Sequence, residues 1–285
     1  MKASLSKPEY FLQPLRVLRK ALGINRELDL WGLKTVTFPN DYLERALHRT
    51  GVYDLAATEL LFRLSKGANV LVDAGANIGL MSRTMLLGGS KKTVLYSFEP
   101  NPEVLELLYS NRRNTPGNER WKIEQAALTS IPQRLFIKKT LAYHHNKGTA
   151  SVSTTGGGDF IHGVPLDDYF RDSSGIDVLK IDVEGHELQV LEGAARLLFE
   201  KKIKHIVFED FKPYPSQVMA LLIQNGYTIL AIRKGMFGVQ LYPPDIAPPP
   251  PAWEEPNYLA TVNLPEVKSK LNRCGYACLS YKPNV

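Results

Sequence analysis

The chain has 285 residues, 44% of them hydrophobic and 22% charged, with a formal net charge of +6. That length and mix suit a soluble globular protein with one large core, as one domain or one domain with extensions. No apolar run is long enough to span a bilayer and the N-terminus lacks the h-region of a secretion signal, so the default expectation is a cytoplasmic protein; the Lys and Arg residues are scattered rather than massed, so nucleic acid is not an expected partner.

Residues 1–20 mix Lys and Arg with Phe11, Leu12, Leu15, Val17 and Leu18, a basic amphipathic pattern that fits a helix on the domain edge or a segment touching a membrane surface or partner. Residues 1–40 are expected to form an N-terminal helical extension. Between Asp41 and Leu64 apolar residues recur at helical intervals, which predicts two helices broken near Gly51. The main domain is expected over 41–240.

The run Asn69-Val70-Leu71-Val72 then ends in Asp73, followed by Gly75, Asn77 and Gly79 and a helix-like stretch from Leu80 to Leu87. This reads as strand, tight loop and helix start in an α/β sheet, where glycine lets the backbone approach a ligand and the first helical amides face it. The Gly-x-x-x-Gly spacing differs from the Gly-x-Gly-x-x-Gly that seats a pyrophosphate. An acid at the strand end suits a ligand with an ammonium and a sulfonium, such as S-adenosyl-L-methionine, better than a dinucleotide. A plain strand-to-helix loop with glycines for packing is the alternative.

From there strand-like and helix-like segments alternate, the sign of a mostly parallel sheet covered on both faces. Thr93–Phe98 is predicted as the second strand, ending in Glu99-Pro100-Asn101-Pro102, with a helix over 103–113. Glu99 lies twenty residues beyond Gly79, the place from which an acid reaches ribose hydroxyls; it could instead serve only as a helix N-terminal acid. The third strand, 122–125, leads to Ala126-Ala127-Leu128, where small residues let an adenine lie against backbone and Gln125 could read its edge. Arg134–Lys138 predicts a further strand. The polar, glycine-bearing stretch from His144 to Gly163 predicts a mobile loop over a site, and a short helix is expected from Pro165.

A second buried strand, Ile176–Ile181, opens onto Asp182, Glu184, His186 and Glu187, four ionisable groups within six positions. Adjacent carboxylates repel, so such a cluster is costly in a purely structural loop and marks a site; Asp73, Glu99 and Asp182 are expected to converge on one crevice beyond the strand ends. His186 could also be a helix-start residue. Leu188, Val190, Leu191, Ala194, Leu197 and Leu198 predict one helical face. Strands over 204–210 and 227–232 flank a helix over 216–225. Residues 241–285 carry Pro243, Pro244 and Pro248–Pro251, which predict a proline-rich linker and a C-terminal extension, with Tyr258–Val262 strand-like. Cys274 and Cys278 are read as free thiols, or as a redox pair.

Asp73-Ala74-Gly75-Ala76-Asn77-Ile78-Gly79, Phe98-Glu99-Pro100-Asn101-Pro102 and Leu179-Lys180-Ile181-Asp182-Val183-Glu184-Gly185-His186-Glu187 with Leu191-Glu192-Gly193 together resemble the FkbM family of methyltransferases. Asn146–Ser151 and Leu166-Asp167-Asp168 are similar to segments between those blocks. The resemblance covers about 41–233. It implies a class I methyltransferase fold, Rossmann-like, with a mostly parallel seven-stranded sheet, one strand antiparallel and helices on both faces. The activity it implies is O-methylation of a hydroxyl on a sugar, glycan or secondary metabolite, with S-adenosyl-L-methionine as cofactor. In that reading Asp73 and the backbone of Gly75, Asn77 and Gly79 hold the amino-acid end of the donor, Glu99 the ribose, and Asn101, Gln125 and Ala126 the adenine surroundings. The acceptor hydroxyl needs activation by a general base among Asp182, Glu184 and His186, with His145 or Glu209 able to enter, or by a divalent ion held by carboxylates. A scaffold that binds the nucleotide without transfer, and a dinucleotide-dependent oxidoreductase, are the rival expectations.

Overall fold

The computed structural model describes residues 31–139, 143, 147, 150–157, 160–251 and 254–283. The basic segment at 1–20 therefore lies outside the described residues, and so does most of the expected extension over 1–40. Residues 31–40 carry no helix; Leu33 and Thr35 are buried, and Arg83 donates to Thr35 Oγ1 and to the Lys34 carbonyl, which fastens this stretch to the sheet-covering helices.

Helices α1 (Tyr42–Thr50) and α2 (Leu55–Leu64) are separated where predicted, because Gly51 takes a left-handed φ of +78° and closes α1, while Asp41 and Asp54 accept from amides of the first turns of α1 and α2. Then come β1 (Val70–Ala74), α3 (Leu80–Gly88), β2 (Val94–Phe98), α4 (Pro102–Arg113) and β3 (Trp121–Glu124). Strands β4 (Ala127–Leu128), β5 (Gln133–Lys138), β6 (Ser151–Ser153) and β7 (Phe160–Val164) form a separate small sheet in the order β4-β7-β5-β6. The stretch expected as a loop over 144–163 thus contains β6 and the start of β7. Its alternating side chains, such as Val152 against Leu135 and Ile161, were masked by the surrounding Ser, Thr and Gly.

The chain continues through α5 (Leu166–Tyr169), β8 (Ile176–Ile181), α6 (Glu187–Glu192) and α7 (Ala195–Phe199). The single helix expected after Glu187 is broken at Gly193, where a Cβ would stand 2.0 Å from the Thr129 carbonyl oxygen: the backbone must pass too close for any side chain. Strand β9 (Ile203–Glu209), α8 (Gln217–Gln224), the hairpin β10 (Thr228–Gly235) and β11 (Gly238–Tyr242), β12 (Asn257–Thr261), α9 (Leu264–Leu271) and α10 (Ala277–Ser280) complete it.

The main sheet runs β11-β10-β12-β9-β8-β1-β2-β3. Strands β9, β8, β1, β2 and β3 are mutually parallel; β12 is antiparallel to both β9 and β10, and β11 is antiparallel to β10. Without β11 this is the expected seven-stranded sheet with one reversed strand; β11 adds an eighth at the edge. The boundary expected at residue 240 cuts through this sheet. Strand β12, from the segment expected as a C-terminal extension, is inserted between β9 and β10 with Leu259 and Ala260 at 0% exposure, so removing it would open the core.

Alternate residues of the central strands feed two cores. Val72, Leu179, Ile181 and Phe208 pack under α6, α7 and α8, while Leu71, Val178 and Val207 pack against α2 and α3. Strand order reverses at β1, which has β8 on one side and β2 on the other; in such sheets the crevice beyond the strands' carboxyl ends is where ligands bind. Among the described residues no helix is long and apolar enough to cross a membrane.

Candidate active site

The carboxyl ends of β1, β2 and β8 are tied together before any ligand is considered. Amides of Gly75 and Ala76 donate to the Phe98 carbonyl at 3.0 and 3.1 Å, and the Asp182 amide donates to the Ala74 carbonyl at 3.1 Å. Gly75 has φ +75°, and a Cβ there would fall 1.8 Å from the Asp182 carbonyl oxygen, so only glycine lets these two strand ends meet.

Glu99, 7% exposed, reaches across this junction. Its Oε2 accepts from the Asn77 amide and its Oε1 from the Asn101 amide, both at 2.8 Å. Each oxygen keeps a further lone pair, as a diol requires. Burial pushes Glu99 up to about 7, against the pull of those two amides. Asn101 caps α4 through its side-chain oxygen and donates its Nδ2 to the Tyr143 hydroxyl at 2.9 Å.

A cavity opens directly beyond, lined on one side by Gly75, Asn77, Glu99 and Asn101 and on the other by Asp182, Glu184, His186 and Glu209. Asp182 is the joint: Lys180 at the end of β8 donates to the Gly75 carbonyl at 3.0 Å and stands 3.3 Å from both Asp182 Oδ2 and Asp73 Oδ1. Burial works against the Lys180 charge, but the two flanking carboxylates outweigh it and hold the ammonium protonated.

Asp73 itself does not line the cavity, which corrects the role expected for it. It is fully buried, with Oδ2 accepting from Ser82 Oγ and Oδ1 facing Lys180; burial raises its pKa and Lys180 opposes that. A strand-end acid followed by a helix serine nine positions on becomes an internal anchor rather than a ligand contact. Gln125 is exposed and Ala126 is packed in the core beside Phe98, so neither reaches the cavity; Ala127 and Leu128 line it instead. His145 lies outside the described residues. Glu187 is occupied locally, accepting from the Val183 and Gly185 amides at 3.3 and 3.1 Å.

The far wall is crowded with acids. Glu184 is pushed up to about 7 by burial, then by Asp182 and Glu255; Glu209 is pushed up to about 9 by burial, then by the same two groups. His186 is half-buried, which lowers its pKa, and its Nε2 is 3.0 Å from Thr129 Oγ1. Four ionisable lining residues, Tyr53, Lys147, Lys180 and Glu255, escaped sequence reasoning. Lys180 sits inside an apolar strand, where one buried lysine could have been noticed. Tyr53 and Glu255 are 202 positions apart and meet only in the fold, with the Tyr53 hydroxyl donating to Glu255 at 2.6–2.7 Å; no local signal announces them.

The sheet order, the glycine loop at the switch point and the acid at the end of β2 define a class I methyltransferase domain, whose cofactor is S-adenosyl-L-methionine. The residues fit that group: backbone free of side chain at Gly75, a buried Asn77 Oδ1 with no partner among the described residues, and Glu99 with acceptor capacity left. Gly79, expected to help hold the donor, does not line the cavity; a Cβ there would stand 2.6 Å from Leu108 and 2.8 Å from Trp121, so it serves packing. The chain belongs to the FkbM methyltransferase domain family, whose model matches residues 73–229. It is similar to the hexuronic acid methyltransferase AglP of Haloferax volcanii, 32% identical over 146 residues that are 49% of this chain and 55% of the relative. It is also similar to methyltransferase sdnD of Sordaria araneosa, 29% identical over 196 residues, 57% of this chain and 75% of the relative. Among solved structures, the FkbM methyltransferase of Methylobacillus flagellatus aligns over 67% of this chain and 43% of its own length, at 21% identity and a TM-score of 0.43. The chain thus spans about half the length of the archaeal relative and less than half of that solved chain. Family membership sets aside the dinucleotide oxidoreductase reading.

Proposed function

We propose that the protein transfers a methyl group from S-adenosyl-L-methionine to a hydroxyl of a sugar, a glycan or a secondary metabolite. The observation that supports this is one cavity lined both by the glycine loop with Glu99 and by the carboxyl groups of Asp182, Glu184 and Glu209. The relative that acts on a hexuronic acid supports a sugar acceptor. Two unpaired cysteines, Cys274 exposed and Cys278 buried, support a reducing, cytoplasmic setting.

When bound, the donor supplies an electrophilic methyl on a sulfonium. Glu99 would hold the ribose diol, and the backbone from Gly75 to Ile78 with the Asn77 side chain the amino-acid end, where Lys180 anchors Asp182 beside the cation. Asn101 would border the adenine. The acceptor oxygen forms its bond to carbon as the carbon–sulfur bond breaks, and the hydroxyl proton must leave to a base. Glu184 suits that role best: it lines the cavity, it remains open to solvent, so the proton can be passed on, and its pKa of about 7 matches neutral working conditions. Glu209 holds its proton too tightly at neutral pH, and His186, neutral there, is positioned by Thr129 to orient the acceptor. Nucleic acid fits poorly as acceptor, since its phosphates would face the acid-lined wall.

The test is incubation with isotope-labelled donor and a panel of methyl glycosides, reading label on oxygen by mass spectrometry and NMR. Label on a ring hydroxyl, lost in Glu184→Gln with donor affinity kept, is the expected result. Donor binding with label on no hydroxyl of the panel overturns the reading.

A further inference from the structure

The wall opposite the donor loop contains a pair that the family segment does not include. Tyr53 precedes it, at the turn into α2, and Glu255 follows it, just before β12; the matched segment is 73–229. The pairing of β12 with β9 sets Asn257 opposite Glu209, which brings Glu255 to the edge of the same cavity. Tyr53 donates to both Glu255 oxygens, holding the carboxylate in place, and Tyr53 in turn is fixed edge-on to Tyr42, with ring centroids 6.2 Å apart. Beside it, Glu209 Oε1 is buried with no hydrogen-bond partner among the described residues. A buried acceptor atom left unpaired costs free energy until something donates to it.

We propose that Tyr53, Glu255 and Glu209 form a specificity wall that selects a polyhydroxylated acceptor and rejects one carrying a carboxylate beside the reacting hydroxyl. This rests on the methyl-transfer reading above and narrows its substrate class. The wall offers oxygen acceptors to the ligand, which match hydroxyl donors. A carboxylate would bring a further acid up to Asp182, Glu184 and Glu255, while of the two lysines that line the cavity among the described residues Lys180 is already shared by Asp73 and Asp182 and Lys147 stands 3.6 Å from Glu103. By this argument the chain differs in acceptor from the relative named for hexuronic acid, and two of the three wall residues, Tyr53 and Glu255, lie outside the matched segment.

The experiment titrates methyl β-glucoside and methyl β-glucuronide into the full chain saturated with S-adenosylhomocysteine, by calorimetry and ligand-observed NMR. The glucoside is expected to bind about tenfold tighter than the glucuronide. In Glu255→Gln the preference over glucuronide is expected to shrink to about threefold or less, with unchanged affinity for S-adenosylhomocysteine; Tyr53→Phe, which keeps the ring, should weaken glucoside binding a few-fold. Equal or tighter binding of the glucuronide by the wild type overturns the inference alone. So does an unchanged ratio in Glu255→Gln with unaltered melting temperature. Binding of S-adenosylhomocysteine with none of the glycosides overturns the sugar-acceptor reading, and the inference with it.

Discussion

The two sides of the cavity are built in different ways. On the proposed donor side, Gly75, Asn77, Glu99 and Asn101 lie within 27 positions of one another and are fixed by backbone amides at neighbouring strand ends. On the proposed acceptor side, Asp182, Glu184, Glu209, Tyr53 and Glu255 come from four separate parts of the chain, joined by side-chain contacts from Lys180 to Asp182 and from Tyr53 to Glu255 across 202 positions. The donor never changes within a family, and a short contiguous motif suffices to bind it. A pocket that draws Tyr53 and Glu255 from outside the matched segment can be altered there without touching that motif.

Lys180 is where the two sides join, and its removal is expected to have the largest effect. Lys180→Met deprives the fully buried Asp73 of its counter-charge and Asp182 of its neighbour, a loss on the order of 3–5 kcal/mol for a broken buried pair. Chemical denaturation should show it, and Asp73→Asn in the same background should recover part of the loss by removing the stranded charge. Failure of the second change to restore anything would mean that Lys180 acts only through Asp182 and the Gly75 carbonyl. Next in size, Glu99→Ala removes the acceptor of two backbone amides and the proposed ribose contact. Donor affinity should fall about 100-fold by calorimetry while acceptor binding is unaffected, a loss that would confirm that the sides are separable.

Most of the donor side was legible in the sequence for the same reason that it is local. The run from Asn69 to Gly79 announces strand, loop and helix in eleven residues, and Glu99 follows at a spacing that the parallel pairing of β1 with β2 dictates. What misled was charge: Asp73 reads as a ligand contact because nothing in the sequence says that Ser82 and Lys180 will meet it in the core. On the acceptor side the Asp182–Glu187 cluster was visible as repelling neighbours, yet Glu187 turned out to bind its own loop amides. Tyr53 and Glu255 were invisible, since their partnership depends on β12 crossing back into the middle of the sheet, an insertion that a proline-rich run conceals.

The acid-rich wall also predicts how stability responds to pH. Glu209 binds its proton more tightly when folded, with a pKa of about 9 against an ordinary carboxylate value of 4.5, and Glu255 does the same at about 7. For a carboxyl raised in this way the folded state holds the extra proton, so its stabilising contribution is complete below the unfolded value and is lost as pH climbs to the folded one. The donor-free protein should therefore melt at progressively lower temperature as pH rises from about 4.5 to about 9, followed by scanning calorimetry. Glu209→Gln, which keeps the shape and cannot ionise, should flatten the upper part of that slope; an unchanged slope would place the titration elsewhere, Glu99 being the donor-side candidate at about 7.

The smallest effect is expected at Asn101, and it tests how far the donor side owes its rigidity to caps rather than to contacts with ligand. The side-chain oxygen of Asn101 accepts from the Glu103 amide at 3.1 Å and so caps α4, while its Nδ2 donates to Tyr143. Its backbone amide, which holds Glu99, survives any substitution that keeps the loop in place. Asn101→Ala should lose about 1 kcal/mol of stability from the missing cap, and Asn101→Ser, which restores a capping oxygen but not the donor to Tyr143, should recover most of it. If donor affinity follows stability across the pair, the cap sets the loop; if it falls alike in both variants, the amide group of Asn101 itself meets the adenine, and the donor side depends on side chains as much as the acceptor side does.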